Sequence, residues 1–191
     1  MKIIGITGGI GSGKSIVSKL FSIHGIPVYD TDSAAKRLND TSLVIRKCLI
    51  EKFGDDLYTK GTLNRLLLAS LIFQNFENLQ FVNSVVHPEV DKDFLEWKSQ
   101  QTAEIIAIES AILFESKLNR MVDFTVSIST PLKIKIERIE KQKQWKRKEI
   151  IARINNQMSD NERNRLSDFI IINDNSHSLL LQIEKLLKTI I

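Results

Sequence analysis

Gly8-Gly9-Ile10-Gly11-Ser12-Gly13-Lys14-Ser15 fills the spacing G-x-x-x-x-G-K-[ST] of a phosphate-binding loop. Its glycines free the backbone to turn several amide N–H groups into one concavity, where they can hold phosphate oxygens. The amides of Gly9, Ile10, Gly11, Ser12 and Gly13 are the candidate cradle, with Lys14 adding a point charge on the β and γ phosphates. Ser15 offers a hydroxyl to a magnesium ion, and the helix it opens turns its positive end toward the same anion. Such a loop needs a strand before it and a helix after it. Lys2-Ile3-Ile4-Gly5-Ile6-Thr7 has strand length, and Val17, Leu20, Phe21 and His24 recur at helical spacing. A chance glycine turn would lack that context. A dinucleotide fingerprint is excluded, because Lys14 occupies the place of its third glycine.

A chain of 191 residues is long enough for one α/β domain with a full core and an inserted subdomain. Its single cysteine, Cys48, excludes an internal disulfide framework and fits a reducing compartment. No apolar run reaches the length of a membrane span, and the N-terminus enters a core strand directly, so the expectation is a cytoplasmic protein without a membrane partner. The net charge of +4 is unevenly spread. Between residues 133 and 165 eleven Lys or Arg face five Asp or Glu, leaving the rest slightly acidic. A basic excess confined to one segment suits a polyphosphate ligand better than a nucleic-acid-binding face, with a solvated helix surface as the bland alternative.

A second strand, Val28-Tyr29, runs into Asp30-Thr31-Asp32, at the sheet edge that carries the phosphate loop. Asp30 and Asp32 are therefore candidates for a general base and for magnesium contact, and Asp32 is equally placed to cap a helix over 33–39. Residues 42–101 lose the strand-helix alternation and read as a helical insertion. Within it, Lys60-Gly61-Thr62-Leu63-Asn64-Arg65 reads as a turn with a helix start, and Pro88 suits the first turn of another helix. Arg65 can reach an anionic ligand or make a surface salt bridge; His87 reads more readily as a cap or packing residue than as a catalyst. The run 104–109 is apolar enough to be buried on both faces and ends at Glu109, where an acidic group can approach magnesium. Further strands are predicted over 123–129 and 168–173, a charged helical stretch or pair over 133–156, and a closing amphipathic helix through Leu179, Ile183, Leu186 and Ile190.

The ordered set resembles the dephospho-coenzyme A kinase family over residues 3 to about 187. It is carried by Gly5 through the loop, Asp30-Thr31-Asp32, Gly61-Thr62-Leu63-Asn64-Arg65, His87-Pro88, Leu113-Phe114-Glu115, Arg138, Gln157 and residues 168–173. The resemblance implies a P-loop NTPase-type three-layer α/β sandwich with a five-stranded parallel sheet. Core segments are expected at 1–41, 102–131 and 166–191, a helical acceptor-binding insertion at 42–101 and a helical lid at 132–165. It further implies ATP and magnesium as cofactors, and transfer of the γ-phosphoryl group to the ribose 3′-hydroxyl of dephospho-coenzyme A, a small-molecule acceptor. Asp32 is then the base, Lys14 and Arg138 the catalytic cations, Asn173 a nucleotide contact, and Thr7, Arg65 and His87 acceptor contacts with Asp32. The lid arginine is expected to swing freely over the phosphates.

Glu109 stands where the family usually has Asp, Ala111 where it has Pro, and Gln142 where many members carry a second lid Arg, which turns attention to Arg147 and Arg153. A regulatory GTPase would need D-x-x-G and N-K-x-D, and neither occurs. A nucleic-acid-dependent ATPase predicts basic charge spread over a face. The nearest alternative is a nucleoside or nucleotide kinase, because the loop and D-x-D do not identify the acceptor.

Overall fold

The structure, a computed structural model, describes residues 1–73, 75–143 and 145–190. Gln74, Gln144 and Ile191, which fall in the stretches read as insertion, lid and closing segment, lie outside the described residues. The chain forms two compact units, one of Met1–Asp30 with Gln101–Ile191 and one of Thr31–Gln100.

The first unit is built on a parallel sheet. Its strands are β1 (Lys2–Thr7), β2 (Val28–Asp30), β5 (Ile105–Glu109), β6 (Phe124–Ser129) and β7 (Phe169–Ile172), in the order β2-β5-β1-β6-β7. The near-continuous apolar runs reflect burial on both faces. On one face, α1 (Lys14–Ile23) and α9 (Leu179–Ile190) bring Val17, Phe21, Ile183, Leu186 and Ile190 against Ile4, Ile6, Val126, Ile128 and Ile171. On the other, Leu113 and Val122 press so close that a Cβ on Gly5 would lie 2.9 Å from the Leu113 Cδ2 atom. That face also carries α8 (Asp160–Leu166), whose Asn164 accepts the Ser127 hydroxyl at 2.6 Å. These are the expected three layers. The charged stretch is a helix pair, α6 (Leu132–Lys143) and α7 (Arg147–Asn155), joined through Ile136, Ile139 and Ile150.

The second unit holds α2 (Thr31–Thr41), α3 (Leu43–Phe53), β3 (Tyr58–Thr59), β4 (Thr62–Leu63), α4 (Arg65–Ile72) and α5 (Phe76–Ser99). It begins at Thr31, whereas the sequence reading set the insertion at 42. One local expectation is extended and one is corrected. Lys60-Gly61 closes an antiparallel hairpin pairing Tyr58 with Leu63, with both turn residues left-handed at φ 50° and 87°. Lys-Gly supplies that geometry without the usual Asn-Gly signal; the turn and the helix start after Asn64 stand as expected, and the strand pairing around the turn was not read. Pro88 stands in the interior of α5, not in a first turn. A proline there costs about 3 kcal/mol, but the buried stripe Val82, Val86, Val90 and Phe94 outweighs it at about 1.5–3 kcal/mol per side chain. Among the described residues no helix is long and apolar enough to cross a membrane.

Gly11 combines φ +75° with crowding, since a Cβ there would meet the Ile139 side chain and the Lys135 carbonyl at 2.9 Å. Gly25 has φ +78° and nothing within 4 Å. Gly25→Ala should therefore cost only the backbone term, about 1–2 kcal/mol, and Gly11→Ala distinctly more. Thermal melts of the two variants test this, and equal losses contradict it.

Candidate active site

The phosphate loop is held in shape by its own backbone and by neighbouring side chains. Gly13 caps α1 in a left-handed conformation, φ 89°, and the Ser12 amide donates back to the Gly9 carbonyl at 3.1 Å. Lys14 Nζ donates to the Gly8 carbonyl at 3.0 Å, crossing the mouth of the loop. A Cβ on Gly8 would fall 2.6 Å from Ser12 Oγ, and one on Gly13 2.3 Å from Asn173 Nδ2. Side chains at these positions would collide with the packed groups that surround the loop. The hydroxyls of Thr7 and Ser12 are fully buried without a hydrogen-bond partner. Gly11, Gly13, Lys14, Ser15, Ile16, Arg138 and Gln142 line a recess of about 230 Å³. Backbone donors and an ammonium beside open space suit a polyphosphate.

Three side chains meet at the Ser12 carbonyl. Asn173 Nδ2 donates to it at 2.8 Å, Thr130 Oγ1 at 3.0 Å and Arg138 Nη1 at 3.4 Å. Arg138 Nη2 also donates to Asn173 Oδ1 at 3.0 Å and to Asn175 Oδ1 at 2.7 Å. Its guanidinium is anchored where the sequence reading left it free to swing. Helical periodicity shows which side of α6 faces inward but not which loop carbonyl it meets.

At the strand ends, Asp30 pairs in register with Glu109, which pairs with Ile6 beside the loop. Glu109 is buried. No group of three or more His, Cys, Asp or Glu gathers for a metal among the described residues. Magnesium bound through nucleotide phosphates does not need one, since it usually takes one or two protein oxygens and keeps several waters. Ser15 at the start of α1 fits that pattern.

Asp32, Arg65 and His87 belong to the second unit. Helix α2 starts two residues earlier than expected, so Asp32 lies within its first turn, not at the N-cap. Arg65 donates to Asp40 at 2.6 Å and to the Lys36 carbonyl at 3.1 Å, and its hydrogen bond holds the Asp40 carboxyl below its ordinary value. His87 is half-buried within α5; burial pushes its imidazole down, partly opposed by the Asp91 carboxylate.

Sequence reasoning singled out Gln157 and Glu115 but not their partners, which are distant in the chain, and it did not reach Lys135 or Asp160. Gln157 Oε1 accepts the Ile10 amide at 2.8 Å, and Glu115 accepts the Met158 amide at 3.2 Å. Lys135, on α6, is buried and paired with Asp160. The same carboxylate accepts Arg163 Nη1 at 2.8 Å. Of the alternative arginines, Arg147 faces Glu140 at 3.8 Å and Arg153 stacks over Trp145 at 4.2 Å.

A parallel sheet in this order, with the glycine cradle joining its central strand to α1, defines a P-loop kinase. Shikimate kinase from Acinetobacter baumannii shares the fold at 17% identity, covering all of this chain and 93% of that one with a TM-score of 0.55. A Thermus thermophilus crystal structure superposes at 0.89 and 32% identity, over the whole chain and 97% of its own. The dephospho-CoA kinase of Campylobacter jejuni superposes at 0.70 and 24% identity, over 100% and 98%. The dephospho-CoA kinase family model matches residues 2–178. A dephospho-CoA kinase from Porphyromonas gingivalis is 41% identical over all of this chain and 95% of its own; one from Bacteroides fragilis is 41% identical over 96% and 90%. The chain belongs to the dephospho-CoA kinase family.

His87 carries a pH prediction. Its folded-state imidazole takes a proton less readily than the unfolded one, so it favours folding above the ordinary value of 6.5, and that contribution is lost as pH falls from there through the lowered folded-state value. Between about pH 7.5 and about pH 5.5 the parent should lose more thermal stability than His87→Gln. Parallel melting curves over that window contradict the assignment if the two fall together.

Proposed function

We propose that this chain transfers the γ-phosphoryl group of ATP to the ribose 3′-hydroxyl of dephospho-coenzyme A, yielding coenzyme A and ADP, the final step of coenzyme A synthesis. The observation that supports it most is the glycine-rich phosphate loop, capping α1 through Gly13, in a chain of this family. Phosphoryl transfer asks a protein chiefly for positioning and charge neutralisation. The amides of Gly9, Ile10, Gly11, Ser12 and Gly13, with Lys14, hold the donor phosphates, and Asn173 orders the nucleotide side. Magnesium, taken by Ser15 with Asp30 or Glu109, supplies further neutralisation of phosphate charge.

Asp32 orients the acceptor hydroxyl and receives its proton as the oxygen attacks phosphorus and the bond to the ADP oxygen breaks. Thr7, Arg65 and His87 are the remaining proposed acceptor contacts. For Arg65 this means leaving or sharing Asp40, a modest step for an exposed pair. Arg138 acts on the nucleotide from its anchored position, because a long swing would break three hydrogen bonds worth about 1 kcal/mol each. Residues 42–101 are the proposed acceptor-binding part and 132–165 the lid, whose closure keeps water from taking the phosphoryl group. The reading includes a cytoplasmic location and no nucleic-acid or membrane partner.

A coupled assay for ADP, with ATP and either dephospho-coenzyme A or a panel of nucleosides, tests the acceptor; turnover only with a nucleoside transfers the assignment to the rival kinase class. Lys14→Ala should remove turnover while the chain stays folded. Asp32→Asn should lower the maximal rate by about 10² or more with ATP affinity kept within a few-fold, the scale of lost general-base catalysis. Collapse of ATP binding in Asp32→Asn instead makes it a metal-binding or structural group.

A further inference from the structure

The proposed reaction places more negative charge at the loop than Lys14 and Arg138 alone can match, and Gln142 removes one cation that α6 could have offered. Arg147 and Arg153 are engaged with Glu140 and Trp145. Lys135 is different. It lies one turn before Arg138 on the same helix and is 3% exposed. A Cβ on Gly9 would sit 3.3 Å from Lys135 Nζ, 3.4 Å from Gln157 Oε1 and 3.5 Å from Asp160 Oδ1. The second residue of the phosphate loop thus faces an ammonium across space that only its lack of a side chain leaves open.

The surroundings favour an anion. One carboxylate, Asp160, serves two cations, Lys135 and the buried Arg163, so this trio carries a net positive charge. Arg163 Nε is buried without a partner, while its Nη2 donates to the Met158 carbonyl at 2.7 Å. Gly9, Ile10, Lys135, Gln157, Ser159 and Asp160 are among the residues lining a cleft of about 380 Å³. Its two donors toward the loop, the Ile10 amide and the Lys135 ammonium, are both held by side-chain oxygens of the segment 157–160. Those oxygens occupy donors that a phosphate could take over. Arg163 remains to keep Asp160 paired.

We propose that Lys135 is a phosphate-binding residue that exchanges Asp160 for the terminal phosphate of the bound nucleoside triphosphate, supplying the second cation that Gln142 does not. This rests on the kinase reading above and adds a residue to its site. The competing role is a structural staple between α6 and α8. A staple would affect diphosphate and triphosphate alike; a terminal-phosphate contact separates them.

The test is calorimetric titration of ADP and of a non-hydrolysable ATP analogue, each with magnesium, into the parent, Lys135→Gln, Lys135→Arg and Asp160→Asn. Lys135→Gln should lose triphosphate affinity by about ten-fold or more, the scale of a charge-assisted hydrogen bond, with ADP affinity within about two-fold. Lys135→Arg should recover most of it. In Asp160→Asn, where the amide oxygen can still accept from Arg163, the preference for triphosphate should rise. Equal weakening of both nucleotides in Lys135→Gln, or an unchanged preference, overturns the proposal. If Lys135→Gln does not fold, an unchanged preference in Asp160→Asn overturns it instead. A parent that binds neither nucleotide counts against the kinase reading, whereas a parent that binds both with no change in the variants counts against Lys135 alone.

Discussion

A loop that turns its amides toward a phosphate must turn carbonyls away from it, and a buried carbonyl has to find its donors inside the protein. Ser12 carries that burden here. Its carbonyl receives Thr130 from the residue after β6, Asn173 from the residue after β7 and Arg138 from α6. Left bare, such a group costs about 1–3 kcal/mol, so the loop's shape depends on three chain segments arriving together. The nucleotide site is thereby built from the C-terminal half of the chain as much as from the motif near its start.

What makes those segments arrive is strand register. Thr125 and Asp168 clamp the beginnings of β6 and β7: the Thr125 amide and hydroxyl both donate to one Asp168 oxygen, at 2.8 and 2.7 Å, and the Asp168 amide returns to the hydroxyl at 3.0 Å. From there the parallel ladder pairs Val126 with Phe169 and Ser129 with Ile172, and the Asn173 amide reaches the Ser129 carbonyl at 2.8 Å. A slip of one residue would reverse the faces of β7, exposing Ile171 and withdrawing Asn173 from the loop. The clamp at one end of the strands therefore positions Asn173 against the Ser12 carbonyl at the other.

Much of this was legible because its signals are local. The five strands announce themselves as apolar runs, and the loop motif fixes what joins β1 to α1. The second unit was less legible where tertiary packing overrides local chemistry, as at Pro88, carried through α5 by its buried stripe, and at Lys60, which takes a left-handed turn without the residue usually found there. In the site, the residue types at 14, 30, 109 and 173 could be read, but not the anchoring of Arg138 or the pairing of Lys135 with Asp160, 25 positions away. A buried lysine in a highly charged helix carries no mark of its burial. It differs from its exposed neighbours only through a partner that periodicity does not reveal.

The packing of α6 and α7 bears on how the proposed lid can move. Ile136, Ile139 and Ile150 form a small cluster of their own, separate from the core beneath the sheet, with Ile10, Trp145 and Ile154 against it. Ile10 is the phosphate-loop member of that cluster. Lifting the helix pair from the loop would expose this aliphatic side chain and break the Arg138 bonds to the Ser12 carbonyl, Asn173 and Asn175 as well as the Lys135–Asp160 pair, while the contacts between α6 and α7 stay intact. Gly11 sets the opposite limit, since its missing side chain is what allows the Lys135 carbonyl and Ile139 to lie directly on the loop. A helix pair with its own small core, tied to the loop by one apolar contact and several polar ones, holds Arg138 and Lys135 beside the loop together because one helix carries both.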